Sequence, residues 1–274
     1  MSRAPVLLPT VLEPAGPRWS PEVHAAYLRA SRSYWWFRGR ERILQAVGAE
    51  VLRGTRGIVM DVGSGPGGPA HAVFPDSRLV AVDLSPVPLE AYAEATDRVM
   101  ADVGALPCRA ASLEAVCAFD VLEHLDDDRA ALREWRRALK PGGWLVMTVP
   151  AYAALWSPHD ALNGHRRRYR ARTMRRLLEA EGFAVERMTY FNTLLLPAVA
   201  LVRWVQRLAP ARRAPAAEPP SEFGLALPGW MAWCCERVFR LEARWLRRAA
   251  LPFGVSLCAL ARAGGPAPST NKER

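Results

Sequence analysis

The 274-residue chain is short of lysine: only Lys140 and Lys272 among its 37 basic residues, all the others being arginine. It has five cysteines, Cys108, Cys117, Cys234, Cys235 and Cys258. That odd number, without CxxC spacing, argues against a disulfide framework or a zinc ribbon. It lacks any run of the roughly 20 apolar residues that a bilayer crossing requires. Prolines interrupt the N-terminal MSRAPVLLPTVLEP, where a signal peptide would carry its apolar stretch. These absences predict a cytoplasmic protein whose cysteines are plain thiols. What is present is a globular composition, 50 % hydrophobic and 23 % charged, enough to bury a large core.

The net charge of +10 suggests a nucleic-acid partner until it is divided by position. Residues 1–150 hold 17 Lys+Arg against 18 Asp+Glu, net −1, and residues 151–274 hold 20 against 9, net +11. The excess therefore belongs to the second half alone. Its arginines lack the interleaved aromatics of a single-strand binding platform, which makes nucleic acid an unfavoured partner.

The first half alternates β-branched runs with helical periodicity, the pattern of a parallel sheet covered on both faces. Strands are predicted at Ile58 to Val62, Leu79 to Val82, Ala115 to Phe119 and Trp144 to Val149, with a weaker one at Arg98 to Ala101. Asp126 to Asp128 start a helix that continues through Leu132, Trp135 and Leu139 and that Pro141-Gly142-Gly143 ends. A loop from Pro150 to Arg170 follows, then a helix from Arg172 to Glu181 and a strand from Phe183 to Tyr190. The predicted architecture is a doubly wound α/β core, 53–191, with an N-terminal helical cap, 1–52. In the cap, the aromatic cluster Tyr34 to Phe37 precedes a helix from Arg40 to Leu52. A helical insertion, 192–250, containing the low-complexity linker ARRAPAAEPPSE, separates the core from its last strand, 251–262.

Directly after the first strand comes Asp61-Val62-Gly63-Ser64-Gly65-Pro66-Gly67-Gly68, whose glycines allow a tight turn and close approach to a ligand. The loop by itself is ambiguous: Gly63, Gly65 and Gly68 fit a dinucleotide GxGxxG, whereas Gly63, Gly65 and Gly67 fit GxGxG. Asp83, at the end of the second strand, is placed to accept the two hydroxyls of a ribose, which both readings predict. Asp102, after the weaker strand, suits an adenine amino group and favours a nucleoside without a pyrophosphate.

With VMDVGSGPG (59–67), VAVDLS (80–85), ADVGALP (101–107), FDVLEHLDD (119–127) and LKPGGWLVMTVP (139–150), in that order, the chain resembles class I S-adenosylmethionine (SAM)-dependent methyltransferases of the broad type 11 group. The resemblance covers about 95 residues and implies a seven-stranded, mostly parallel, Rossmann-like sheet with a final antiparallel strand, matching Val255 to Ala261. It also implies SAM as cofactor and S-adenosylhomocysteine as product. The implied cofactor residues are Asp61, Gly63, Ser64, Gly65, Gly67, Asp83, Leu84, Asp102, Val103, Phe119 and Asp120, with Arg38 and Arg40 reaching from the cap.

Methyl transfer from a sulfonium is an in-line displacement, so the protein supplies alignment and dryness, and a base where the acceptor must lose a proton. His159, Asp160, His165 and Tyr169 cluster in the loop after the fourth main strand, with His165 preferred as base and Asp160 as its orienting partner. The alternative is that Asp160 and His165 merely fasten the loop. Asp120, Glu123 and His124 with His159 or His165 imitate a metal set, but an isolated Glu-His pair is weak metal spacing and no metal is expected. Seven arginines lie between Arg166 and Arg176, either a clamp for an anionic acceptor or a solvated face.

The insertion opens with nine residues without a polar side chain, Leu194 to Val202. In its second helix, Trp230, Cys234, Val238, Leu241 and Trp245 share a face beside Arg237, Arg240, Arg244 and Arg247, a combination suited to a membrane interface or an amphiphilic acceptor, or else to a lid packed on the core. The leading expectation is methyl transfer, at oxygen, to a small-molecule or lipid-like acceptor, with peripheral membrane contact through 192–250. The alternatives are an RNA methyltransferase and a non-catalytic SAM-binding scaffold at the membrane.

Overall fold

A computed structural model describes residues 35–65, 67–90, 92, 97–208 and 228–264. Residues 1–34, Pro66 and the linker ARRAPAAEPPSE lie outside the described residues. One seven-stranded sheet organises the rest. Its strands are β1 (Ile58–Val62), β2 (Arg78–Asp83), β3 (Asp97–Met100), β4 (Leu113–Phe119), β5 (Leu139–Pro150), β6 (Phe183–Phe191) and β7 (Ser256–Ala263). Their spatial order is β3-β2-β1-β4-β5-β7-β6, the first five parallel and β7 antiparallel to both neighbours.

The helices are α1 (Trp35–Gly48), α2 (Ala70–Val73), α3 (Pro86–Glu90), α4 (Asp128–Ala138), α5 (Pro158–Leu162), α6 (Ala171–Ala180), α7 (Leu196–Leu208) and α8 (Gly229–Leu246). The period-two alternation of the strands divides the core between the two faces of the sheet. Val116, Leu145, Met147, Leu257 and Ala259 meet Leu132 and Trp135 of α4 and Met174 and Leu178 of α6. Ala115, Cys117, Val146, Cys258 and Leu260 meet Ile43, Leu44 and Val47 of α1 and Phe239 and Leu246 of α8. Both faces are covered, as a mostly parallel sheet requires.

Two boundaries differ from expectation. The cap helix already includes Trp35, Trp36 and Phe37 among the described residues, so these aromatics are part of it rather than a prelude, and it ends at Gly48 rather than Leu52. Trp35 meets Phe239 of α8 edge-on, and a Cβ on Gly39 would stand 2.5 Å from the same ring. Packing against α8 thus holds that segment helical. Helix α4, capped by the Asp127 carboxylate on the Ala130 N–H, ends at Ala138, before the Pro-Gly-Gly. Leu139 is extended and already pairs with Leu113, so Pro141-Gly142-Gly143 forms the irregular start of β5. A Cβ on Gly143 would crowd the carbonyls of Lys140 and Glu114 at 3.0 and 3.1 Å.

Strands β6 and β7 pair from Phe183↔Ala263 to Phe191↔Ser256 although the chain between them carries α7 and α8. The buried carboxylate of Glu242 on α8 accepts from the N–H groups of Asn192 and Leu194, each at 2.7 Å, fixing where that excursion leaves the sheet.

Candidate functional site

Strand order reverses between β1 and β4, each neighbouring a strand later in sequence on its far side, and in open α/β sheets ligands settle beyond the carboxyl ends of the strands at such a point. The acids predicted from the sequence stand there, one per strand: Asp61 in β1, Asp83 closing β2, Asp102 just after β3 and Asp120 just after β4. Gly63 at φ 62° and Gly65 at φ 54° turn the chain out of β1 in the left-handed region. A Cβ on Gly63 would meet Val121 at 2.7 Å. The loop is pinned to β2 by Ser64 N–H donating to the Val82 carbonyl at 3.0 Å and Gly65 N–H donating to Asp83 Oδ2 at 2.9 Å. Asp83 Oδ1 also accepts from the Ser85 N–H at 3.0 Å.

Asp61 is buried and accepts from the Tyr92 hydroxyl at 2.7 Å. Burial pushes its carboxyl up to about 7 against the lowering effect of that hydrogen bond. Asp102 is exposed and accepts from the Gly104 N–H at 2.7 Å, while the Val103 carbonyl beside it accepts from the Trp135 indole. Leu84 is exposed, and Ser64 and Phe119 are buried at the rim. Asp120 has a left-handed φ of 57°. Its carboxylate is held by Thr148 Oγ1 at 3.1 Å and by an ion pair with Arg40 at 2.5 Å. Arg40 also stacks over Trp36, 4.6 Å from guanidinium carbon to ring centroid.

Arg38 is placed elsewhere: it pairs with Glu236 of α8, so the expectation that it turns toward the cofactor is corrected, and Arg40 is the cap arginine at the strand ends. Tyr92 was not anticipated; a lone tyrosine 31 residues after Asp61 carries no motif signal.

Beyond β5, Asp160 is fully buried, accepting from the Ser157 N–H at 2.8 Å and from Arg168 at 2.6 Å. Its Oδ1 lies 2.9 Å from His165 Nδ1. Burial alone would raise its carboxyl, but His165, Arg168 and Ser157 together hold it well below the usual carboxylate range. The ionised Asp160 engages Nδ1, and His165 Nε2 faces Glu123 Oε1 at 4.0 Å. Tyr169 donates to Asp128 at 3.1 Å and is buried. His159 is carried on α5, and its side chain lies outside the described residues.

The arginine run is largely engaged within the fold. Arg166 pairs with Asp126, Arg167 with Asp128 and Arg168 with Asp160. These contacts tie the loop after β5 to the loop after β4.

Residues 60–147 match the family model described as methyltransferase domain, of type 11. A malonyl-[acyl-carrier protein] O-methyltransferase of Hahella chejuensis is 35 % identical over 114 residues, covering 39 % of this chain and 41 % of that one. A probable S-adenosylmethionine-dependent methyltransferase of Mycolicibacterium smegmatis is 29 % identical over 185 residues, covering 65 % and 68 %. The chain spans less than half the length of the first curated relatives it matches, 41 % and, for a protein from Streptomyces fradiae, 31 %.

Among solved structures, the Haloferax volcanii complex of the Trm112 methyltransferase activator with a methyltransferase superposes with a TM-score of 0.58 at 17 % identity, covering 90 % of this chain and 97 % of that one. The [4+2]-cyclase SpnF superposes with a TM-score of 0.55 at 19 % identity, covering 92 % and 98 %. The fold is that of the class I SAM-dependent methyltransferases, and residues 60–147 within it match the methyltransferase domain model. SAM is the cofactor of that class.

Proposed function

We propose that the chain transfers the methyl group of SAM to an oxygen of a small-molecule or lipid-like acceptor. The observation that carries the cofactor half is the row of acids Asp61, Asp83, Asp102 and Asp120 at the carboxyl ends of β1 to β4 around the glycine turn. In this reading Asp83 receives the ribose hydroxyls, Asp102 the adenine amino group, and the backbone of Gly63 to Gly67 the amino-acid part. Asp83→Ala is expected to lower SAM affinity at least tenfold in calorimetry; unchanged affinity would refute the assignment.

The acceptor half rests on the loops after β4 and β5. The His165 imidazole, oriented through Nδ1 by ionised Asp160, presents Nε2 as the group that takes a hydroxyl proton as the methyl moves. Two relatives are named as O-methyltransferases, which favours oxygen.

A lipid-like acceptor is supported by α7 and α8. Arg203 of α7 donates to the Leu155 carbonyl at 2.5 Å, tying that apolar helix to the acceptor loop. Leu201, Trp204 and Val205 of α7 and Trp230, Trp233, Leu241 and Trp245 of α8 are exposed, most of them more than half. The tryptophan face of α8 therefore points away from the core, which the opposite residues Phe239, Ala243 and Leu246 contact. The acidic residues of the two helices are Glu236, paired with Arg38, and Glu242, buried on backbone amides, so arginine dominates the exposed charge. Exposed tryptophan beside an excess of arginine over acid fits an anionic bilayer surface. No described helix is long and apolar enough to cross a membrane.

A further inference from the structure

The loops after β4 and β5 leave one chemical demand unmet. Glu123, in the single 3₁₀ turn Leu122–His124, is fully buried, and neither oxygen of its carboxylate has a hydrogen-bond partner from another residue. A protonated Glu123 finds its facing acceptor, His165 Nε2, at 4.0 Å, beyond hydrogen-bond reach, and an ionised one is a bare charge away from water, so either state leaves its lost solvation unrecovered.

The neighbours are of a particular kind. One ring nitrogen each of His124 and His165 and a Glu123 oxygen all lie within 4.8 Å of one another, and His165 Nε2 is 4.0 Å from Glu123 Oε1. The two imidazoles meet edge-on with centroids 4.8 Å apart. The Nδ1 of His165 is occupied by Asp160, which leaves Nε2 as a lone pair aimed at Glu123. His124 is fixed beside it by hydrogen bonds to the backbone at Gly164 and Asn163. A carboxylate facing an imidazole lone pair is repulsive without a proton or a cation between them.

We propose that Glu123, His124 and His165 form a binding site for a divalent first-row transition ion. Two imidazoles and one carboxylate suit manganese, cobalt, iron or zinc rather than magnesium or calcium, which favour all-oxygen shells. Bonds of about 2.1 Å place ligand atoms about 3 to 4 Å apart, so side-chain rotations of less than an ångström or so close the observed spacing. Asp160 then acts as the outer partner that fixes the His165 ring, as carboxylates behind metal-binding histidines do. The ion neutralises Glu123 and occupies the space between the two loops that Arg166 and Arg167 fasten together. Asp120, which the sequence grouped with Glu123 and His124, is excluded from the inner set by its pairing with Arg40 and Thr148.

The catalytic consequence, though not the binding, rests on reading this cluster as the acceptor end of the site. Three protein ligands leave positions open for water or an acceptor oxygen, and His165 Nε2 would hold the ion rather than take the proton.

Cobalt(II) is the probe. Apo-protein prepared with chelator is expected to take up one Co(II) per chain, with visible d–d absorption diagnostic of nitrogen and oxygen ligation. His124→Gln and His165→Gln are each expected to lose at least tenfold in Co(II) affinity while retaining SAM affinity in calorimetry, which reports an intact fold. Asp160→Asn is expected to weaken Co(II) by a smaller factor. Absence of stoichiometric Co(II) uptake by the wild-type chain, or equal uptake by both histidine variants, would overturn the site. Co(II) binding without methyl transfer to any acceptor would leave the site standing and count against the proposed function instead.

Discussion

Asp61 occupies the turn of the chain where the glycine loop begins, and its protonation couples the site to stability. Its carboxyl is raised to about 7 from the ordinary 3.8, chiefly by burial. A raised acid binds its proton more tightly in the folded state, so its contribution to stability is complete below pH 4 and is lost as pH rises through 7. The size of that loss is up to about 4 kcal/mol for a fully buried group. The ligand-free protein should therefore melt progressively lower between pH 5 and pH 8. Asp61→Asn, which can still accept from Tyr92, should flatten that profile and raise the melting temperature at pH 8; an unchanged slope would show that Asp61 is not the titrating group. The acids at the strand ends were legible in the sequence because each follows a β-branched run by one or two residues. The choice between Arg38 and Arg40 was not. Two positions apart on a helix, they differ by about 200° in direction, and only the packing of α1 on Phe239 decides which turns inward.

At the scale of elements, α8 has two opposed faces with different uses. Phe239, Glu242, Ala243 and Leu246 are buried against α1 and the exit of β6. Trp230, Trp233 and Trp245 are exposed. The periodicity visible in the sequence located an apolar stripe correctly as a stripe, yet could not say whether it faced the core, because tryptophan satisfies a core and an interface equally well. What settles the orientation is the pair of short contacts behind it, Gly39 under Phe239 and Glu242 on the amides of Asn192 and Leu194. Replacing all three exposed tryptophans with serine should leave the melting temperature within a few degrees and reduce sedimentation with anionic phosphatidylserine vesicles at least tenfold. Equal pelleting by the variant would remove the membrane reading and leave the face to another partner.

For the molecule as a whole, the division of charge and the division of labour coincide. The strand order, the glycine turn and the acids belong to residues 58–150, within the near-neutral half. The loop after β5 and the helices α7 and α8 belong to the half of net charge +11. The parallel core was readable from alternation, and the seven strands with an antiparallel last one from the motif order; the spatial order and the pairing of β6 with β7 across α7 and α8 come from the structure. The sequence grouped Glu123 and His124 with Asp120 and with His159 or His165, but did not show which of these meet, because the approach of loops 41 residues apart is set by arginine contacts to backbone and carboxylate. Different salt responses follow for the two ends of the site. On the proposed reading, SAM would be held by short, partly enclosed contacts with no large net charge, which salt screens little. Vesicle binding would rest on exposed arginines at a charged surface, which is screened as the Debye length falls from about 10 Å at 0.1 M to about 3 Å at 1 M. Raising salt over that range should leave SAM affinity within about twofold in calorimetry and abolish most vesicle sedimentation. A parallel loss of both would mean that the basic half holds the cofactor as well, and the assignment of Asp83 and Asp102 to the nucleoside would have to be abandoned.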